Sequence, residues 1–354
     1  MKTRHLIDLD SLSLSEIGDI LHMAEAIAKK PSYYSDSCHG MLMATAFYEP
    51  STRTQMSFQA AMLRLGGKVI GFDSPDGTSV SKGESLKDTV RVLSGYADII
   101  TIRHPLEGAA KAASMYSAAP VINAGDGGHL HPTQTLTDIF TLLREKGTLE
   151  NLTIGLCGDL KHGRTVHSLI KAISRYKGNR FVLISTPELA LPAYLKAVIT
   201  ENGLEYEEKD SLADALSMID VLYMTRIQRE RFAGHEDYEK QKGIFILDTE
   251  KLYNAKYGLK ILHPLPRVDE IEDEVDDDPR AVYFIQAEYG MYARMALILH
   301  MLDGETKHID PRPEGDGERV CSNPKCVTGA ETYLPKLFRR KGGKFICEYC
   351  DKMK

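Results

Sequence analysis

Tyr48-Glu49-Pro50-Ser51-Thr52-Arg53-Thr54 gathers three hydroxyls and a guanidinium in one stretch, and it is where this sequence concentrates its chemistry. An apolar run over residues 41–47 precedes it and reads as a buried strand. Phe58, Ala61, Met62 and Leu65 follow at helical spacing, and Gly66-Gly67 stops that helix. Such a loop lies at the carboxyl end of its strand, where open α/β sheets bind ligands. The start of a helix offers free N–H groups and partial positive charge to an anion. Hydroxyls and a guanidinium placed there can hold several oxygens at once. Ser51 or Thr52 could instead simply cap the helix. A cap needs one hydroxyl and no arginine, yet on this stretch alone both readings stay open.

Other strand ends repeat the pattern. Residues 98–103 read as a strand ending in Arg103-His104-Pro105. Residues 121–124 read as another, followed by Gly125-Asp126-Gly127-Gly128 and then by His131-Pro132-Thr133-Gln134, which opens a helix. Between these, residues 76–84 form a polar loop with Ser79 and Lys82. Later strand ends carry Thr225-Arg226-Ile227-Gln228 and His263-Pro264-Leu265-Pro266-Arg267. A lone histidine is more often structural than catalytic. Polar side chains at successive strand ends are different, because those ends converge on one side of a parallel sheet.

The positioning elements are those of an α/β protein with two doubly wound parallel-sheet domains. An amphipathic helix over residues 15–30 opens the chain, and one over 287–302 closes the main body. Further strands are expected at 152–157, 181–185, 220–224, 243–247 and 259–262. This divides the chain into a first domain, 1–134 with the closing helix, and a second, 135–286. A Pro- and Gly-rich linker follows at 303–318, and a small domain at 319–354. Cys321, Cys326, Cys347 and Cys350 form two close pairs in that last piece, the pattern of a structural zinc site of four thiolates. About forty residues make a poor apolar core, so one metal ion would supply the folding energy.

Composition sets bounds. The chain has 354 residues, 43% hydrophobic and 27% charged, the profile of a soluble protein. No long apolar run marks a membrane span, and the N-terminus lacks an export signal. Six cysteines at this length suit reducing cytoplasm. Residues 319–354 carry nine Lys/Arg against three Asp/Glu, so the remainder of the chain stands at −12. Residues 269–278 hold eight acids in ten and read as a solvated loop.

Three other functions are weighed. Gly158–Thr165 spells G-x-x-x-x-G-R-T after a strand, one substitution from a nucleotide phosphate loop, but lacks the lysine that reaches the β and γ phosphates. A dinucleotide-binding dehydrogenase would need G-x-G-x-x-G after a strand, which no strand here has. A nucleic-acid role for the basic tail is opposed by the acidic main body, so neither nucleic acid nor membrane is expected as a partner.

The motifs quoted above, with Ser81-Lys82-Gly83-Glu84-Ser85, resemble in order those of the transcarbamoylases over roughly residues 1–305. Met224–Gln228 and His263–Arg267 favour the aspartate branch over the ornithine branch, which typically has a cysteine where Leu265 stands. The tail resembles the zinc domain of the separate regulatory chain of bacterial aspartate transcarbamoylases, fused here without its nucleotide-binding domain. The resemblance implies transfer of a carbamoyl group from carbamoyl phosphate to L-aspartate in pyrimidine biosynthesis, without an organic cofactor. Ser51, Thr52, Arg53 and Thr54 would bind phosphate. Arg103, His131 and Thr54 would polarise the carbonyl. Gln134 and the backbone carbonyls of Leu265 and Pro266 would hold the carbamoyl amide. Arg164, Arg226 and Gln228 would bind the aspartate carboxylates. Ser79 and Lys82 would come from the neighbouring subunit of a trimer whose sites are shared, and the zinc domain would touch another chain.

Overall fold

The computed structural model describes residues 5–227, 241–303, 315 and 319–353. They form two compact units, Met1–Thr133 with Met291–Lys354, and Gln134–Gly290. The expected linker lies almost wholly outside the described residues.

The first unit opens with helix α1 (Leu14–Lys29), started by a reciprocal capping box between Ser13 and Glu16. Its buried stripe is Ile17, Ile20, Leu21, Ala24 and Ile27, as the periodicity predicts. A four-stranded parallel sheet follows, made of β1 (Leu42–Phe47), β2 (Lys68–Phe72), β3 (Ile99–His104) and β4 (Val121–Asp126) in the order β2-β1-β3-β4. Strands β1, β3 and β4 are almost continuously buried, the mark of a sheet covered on both faces. Helices α2 (Thr52–Arg64), α3 (Leu86–Tyr96) and α4 (Ala109–Ser114) connect them. The outer edge of β4 is not bare. Leu6 N–H donates to Val121 O at 2.9 Å, and Asn123 N–H donates to Leu6 O at 2.8 Å.

The second unit begins with α5 (Pro132–Lys146), whose first two residues belong to the first unit. Its parallel sheet has five strands, β5 (Thr153–Cys157), β6 (Arg180–Ile184), β7 (Glu205–Lys209), β8 (Val221–Met224) and β9 (Lys260–Leu262), in the order β7-β6-β5-β8-β9. Helices α6 (Arg164–Ile173), α7 (Ala193–Glu201), α8 (Leu212–Leu216) and α9 (Thr249–Leu252) accompany it. Three details differ from the sequence reading. Residues 243–247 are not a strand: β9 pairs directly with β8, and Leu247 makes only an isolated bridge to Ile271. Phe245 and Leu247 are buried all the same, so the apolar run is core without being sheet. Conversely β7, Glu-Tyr-Glu-Glu-Lys, is a strand that its charges conceal, because it is an edge that water reaches. The acidic run is also more ordered than a solvated loop. Arg267 pairs with Asp273 and Asp276, Arg280 pairs with Asp278, and Val275 is buried.

Helix α10 (Tyr283–Leu302) closes the main body, starting four residues earlier than expected. The tail then folds onto the first unit. It holds a short helix, α11 (Val327–Ala330), and an antiparallel hairpin of β10 (Phe338–Lys341) and β11 (Lys344–Cys347). Gly342 and Gly343 both have positive φ, as a two-residue hairpin turn requires. Val327, Leu334, Leu337 and Tyr349 share one core with Leu86, Val90 and Tyr116. Helix α4 is nearly all alanine on its buried face, Ala109, Ala110, Ala112 and Ala113, so the tail approaches it closely. A buried side chain of this kind stabilises by about 1.5–3 kcal/mol. A surface ion pair such as Lys111–Glu348, at 2.8 Å, contributes about 0–1 kcal/mol. The apolar core therefore holds the tail in place.

Candidate active site

In each unit the candidate residues fall at the point where the winding of the sheet reverses. In the first, that point lies between neighbours β1 and β3, and their carboxyl ends carry the Ser51–Thr54 stretch and Arg103. In the second it lies between β5 and β8, followed by the loops bearing Arg164 and Arg226. Ligands of open α/β sheets bind at such switch points.

The helix after β1 starts at Thr52, so Thr52, Arg53 and Thr54 lie in its first turn and Ser51 is the N-cap residue. Yet the Ser51 side chain makes no capping bond to the backbone. Its Oγ donates to Thr54 Oγ1 at 3.1 Å. The capping reading of Ser51 thus fails, and the first-turn N–H groups are left for another acceptor.

Arg103 is buried, and Nη1 lies 3.4 Å from Ala124 O and 3.5 Å from His131 Nε2, while Nη2 lies 3.5 Å from Glu49 Oε2. Burial pulls its pKa below the ordinary arginine value, and Glu49 opposes that shift. Its Nε is buried with no hydrogen-bond partner among the described residues. The close approach of Arg103 and His131 depends on Gly125, at φ +123°, where a Cβ would stand 2.9 Å from Arg103 Nη1 and 3.5 Å from His131 Cδ2. A guanidinium and an imidazole sharing one buried pocket beside a helix N-terminus suit an oxygen that gains negative charge.

The loop carrying His131 is fastened to Asp126. That buried carboxylate accepts from Gly108 N–H at 2.8 Å, Leu130 N–H at 3.0 Å, Asn123 Nδ2 at 3.2 Å and His129 Nδ1 at 3.1 Å. His129 Nε2 reaches Asp351 Oδ2 at 3.1 Å. Burial opposes its charge, but the hydrogen bonds to Asp126 and Asp351 prevail and raise its pKa to about 10. His104, by contrast, is pushed down to about 4 by burial.

In the second unit, Gln134 Nε2 donates to Asp138 Oδ1 at 2.8 Å. Asp138 also accepts from Gln286 Nε2 at 2.7 Å and Tyr223 Oη at 2.9 Å. Gln286 Oε1 in turn accepts from His263 N–H at 3.0 Å. His263 Nδ1 accepts from Leu265 N–H at 2.7 Å, which leaves Nε2 as the donor to Glu270 Oε1, also 2.7 Å away. Burial would raise the Glu270 carboxyl; the hydrogen bond from His263 holds it below the usual range. The 263–267 loop is thereby fixed, with Leu265 at φ +53° and a cis bond to Pro266. Arg164 opens α6 and Arg226 follows β8, both half-buried. In the Gly158–Thr165 loop, Asp159 is fully buried and accepts from His162 N–H at 2.9 Å. A carboxylate at that place repels the phosphate that a nucleotide loop would hold.

Ser79 and Lys82 sit in a 3₁₀ turn, exposed, and outside the Arg103–His131 cluster. Gln228 lies outside the described residues. Sequence reading missed Glu49, Asp126, His129 and Asp138; only the Gly-Asp-Gly-Gly stretch hinted at a built turn. The four cysteine Sγ atoms all lie within 4.8 Å of one another, with Cys321–Cys350 at 3.5 Å and Cys326–Cys347 at 3.9 Å. Zinc–sulfur bonds of about 2.3 Å in a tetrahedron place sulfurs about 3.8 Å apart. Hydrogen bonds from Cys326 and Cys350 pull the Cys347 sulfur toward thiolate.

The first of these switch-point sites is basic and hydroxyl-rich, and the second is followed by two loops that each carry an arginine. Residues 4–144 match the family domain described as aspartate/ornithine carbamoyltransferase, carbamoyl-P binding domain, and residues 150–301 match the Asp/Orn binding domain. The chain is 58% identical over 301 residues to the aspartate carbamoyltransferase catalytic subunit of Lachnoclostridium phytofermentans, covering 85% of this chain and 98% of that one. It is 56% identical over 305 residues to that of Clostridium novyi, covering 86% and 100%. Among solved structures, the catalytic subunit of M. jannaschii aspartate transcarbamoylase is similar, with TM-score 0.79, 47% identity, and coverage of 86% and 98%. The Trypanosoma cruzi enzyme in complex with carbamoyl phosphate and aspartate gives TM-score 0.78 at 36% identity, covering 84% and 95%. The chain belongs to the aspartate carbamoyltransferase catalytic-subunit family.

Proposed function

We infer that this protein transfers the carbamoyl group of carbamoyl phosphate to the amine of L-aspartate, giving N-carbamoyl-L-aspartate and phosphate for pyrimidine biosynthesis. The observation that carries the reading is the buried Arg103–His131 pair, 3.5 Å apart, in the unit whose α2 starts with Ser51–Thr54. The amine forms a C–N bond to the carbonyl carbon, the C–O bond to phosphate breaks, and the amine's proton passes to the departing phosphate. Negative charge develops on the carbonyl oxygen between these steps. Arg103, His131 and Thr54 stabilise it, because donors fixed before reaction cost no reorganisation during it. Ser51, Thr52, Arg53 and Thr54 receive the phosphate. Gln134, Leu265 and Pro266 hold the carbamoyl amide, and the locking of the 263–267 loop supports that role. Arg164 and Arg226, with Gln228, take the aspartate carboxylates. No protein nucleophile is needed; holding two substrates in attack geometry supplies much of the acceleration.

The finer parts of the reading concern assembly and metal. Ser79 and Lys82 stand exposed in a single chain, which suits donation to a neighbour in a trimer with shared sites. Four sulfurs at tetrahedral spacing suit one structural zinc per chain, which would hold the tail as a fused regulatory-chain-like module. Such a module could also touch a further chain. All six cysteines are free, and no helix among the described residues is long and apolar enough to cross a membrane.

The test is an assay of the purified full chain for carbamoylated product with aspartate, ornithine and other amines as acceptors. Aspartate should be preferred by orders of magnitude. Preference for a cationic acceptor would overturn the roles of Arg164 and Arg226.

A further inference from the structure

We propose that His129 is a positioning residue for His131, and that Asp351 of the four-cysteine module holds it, so that the module serves catalysis within its own chain. The inference rests on the role of His131 given above. The loop from Asp126 to His131 closes on one carboxylate. Leu130 N–H and His129 Nδ1 both return to Asp126, and Asp126 N–H meets Leu130 O at 3.2 Å. His131 follows directly. Its ring orientation toward Arg103 is therefore inherited from how Asp126 and its donors are held.

Two groups donate to Asp126 Oδ2, Gly108 N–H and His129 Nδ1, and the module touches both. Gly108, at φ +84°, lies so close to Tyr349 that a Cβ there would fall 2.5 Å from the Tyr349 Cβ. His129 gives its other nitrogen to Asp351 Oδ2 at 3.1 Å. Asp351 is itself steadied, since Arg339 Nη2 lies 2.6 Å from its Oδ1. A continuous path of short contacts thus runs Arg339, Asp351, His129, Asp126, and from there to the turn that carries His131. The charged groups facing His129 along it are Asp126 and Asp351, each taking one ring nitrogen.

The module is held chiefly by its shared apolar core. Some of its polar contacts fall on Glu107, next to Gly108, where Asn323 Nδ2 donates to Glu107 Oε2 at 2.6 Å, and others lie away from the loop. Lys111–Glu348 at 2.8 Å is one, and Leu86 N–H to Glu331 Oε1 at 3.1 Å is another. The path through Asp351 differs in ending at the turn that carries His131.

The experiment uses full-length, zinc-loaded protein and four variants: Asp351→Asn, His129→Gln, Asp351→Glu and Lys111→Ala. Asp351→Asn and His129→Gln should each lower kcat about tenfold, the scale of a small misplacement of a reacting group. KM for aspartate should stay within about twofold, because the lost interaction acts in the transition state. Asp351→Glu should restore most of kcat, and Lys111→Ala should leave it unchanged. Metal content should stay at one zinc per chain throughout. A kcat for Asp351→Asn within about twofold of the parent overturns the proposal. So does an equal loss in Lys111→Ala, which would mean general loosening, or loss of zinc from Asp351→Asn. His131→Ala is the reference: if it remains active, the underlying role of His131 fails; if it is inactive while Asp351→Asn is normal, only this inference fails.

Discussion

Gly125 faces Arg103 so closely that a single added methyl group would stand 2.9 Å from the guanidinium Nη1. The backbone there has φ +123°, a region that residues with a Cβ rarely adopt. Gly125→Ala should therefore displace Arg103 or the turn leading to His131. We expect kcat/KM to fall by about a hundredfold or more while the chain stays folded. Steady-state kinetics beside circular dichroism checks this, and near-parental kinetics would show that the pair tolerates displacement.

Arg53 lies exposed in the first turn of α2, where an anion would gain both its charge and the free N–H groups. Arg53→Ala should lower turnover by roughly 10²–10³-fold at saturating substrates. Turnover near the parental value would remove the phosphate assignment of this helix start.

If sites are shared between chains, two inactive variants can repair one another. Lys82→Ala and His131→Ala should each be nearly inactive alone. Mixed oligomers formed from both should regain activity, since some sites then combine an intact Lys82 with an intact His131. Verified mixed oligomers without recovery would mean that each site is built within one chain.

Metal analysis should give one zinc per chain, lost on Cys350→Ser. Every residue proposed to touch substrate lies before the tail, at or before Pro266. Zinc removal should thus reduce kcat to the level of Asp351→Asn, about tenfold down, and not abolish it. Complete loss in an intact oligomer would assign the tail a direct chemical part.

His129 also predicts a pH signature. Its folded pKa, about 10, lies above the ordinary 6.5, so the folded state binds this proton more tightly. Its stabilising contribution is complete below about pH 6.5 and is lost as pH rises toward 10. The stability difference between the parent and His129→Gln, from denaturant unfolding, should shrink across that window. A difference independent of pH would mean that His129 is not charged in the folded chain.

Much of the first site was legible because its parts are local. Ser51 to Thr54 are consecutive, and a strand followed by a helix is readable from periodicity. Arg103 and His131 were legible as polar residues at strand ends. Their partners were less so. Glu49 was visible but had no evident role, and the meaning of Gly125 depends on a side chain twenty-two positions away. The contact of His129 with Asp351 spans 222 positions and follows from no local pattern. Strand β7 was hidden because an exposed edge permits charge, and residues 243–247 misled because burial without pairing looks like a strand. The second unit's Asp138, Gln286 and His263 network was invisible for the same reason as Asp351: only the folded chain brings its members together.

The pairing of Leu6 with β4 has a practical side. Backbone groups of Val121 and Asn123 that Leu6 occupies, with His5 Nδ1 accepting from Val121 N–H at 3.1 Å, would otherwise form an open sheet margin. Unpaired margins recruit strands from other molecules. Trimming this chain past Leu6, or crowding it with a bulky tag, would thus trade a covered border for an adhesive one, and the cost would surface as aggregation during expression before any change in kinetics.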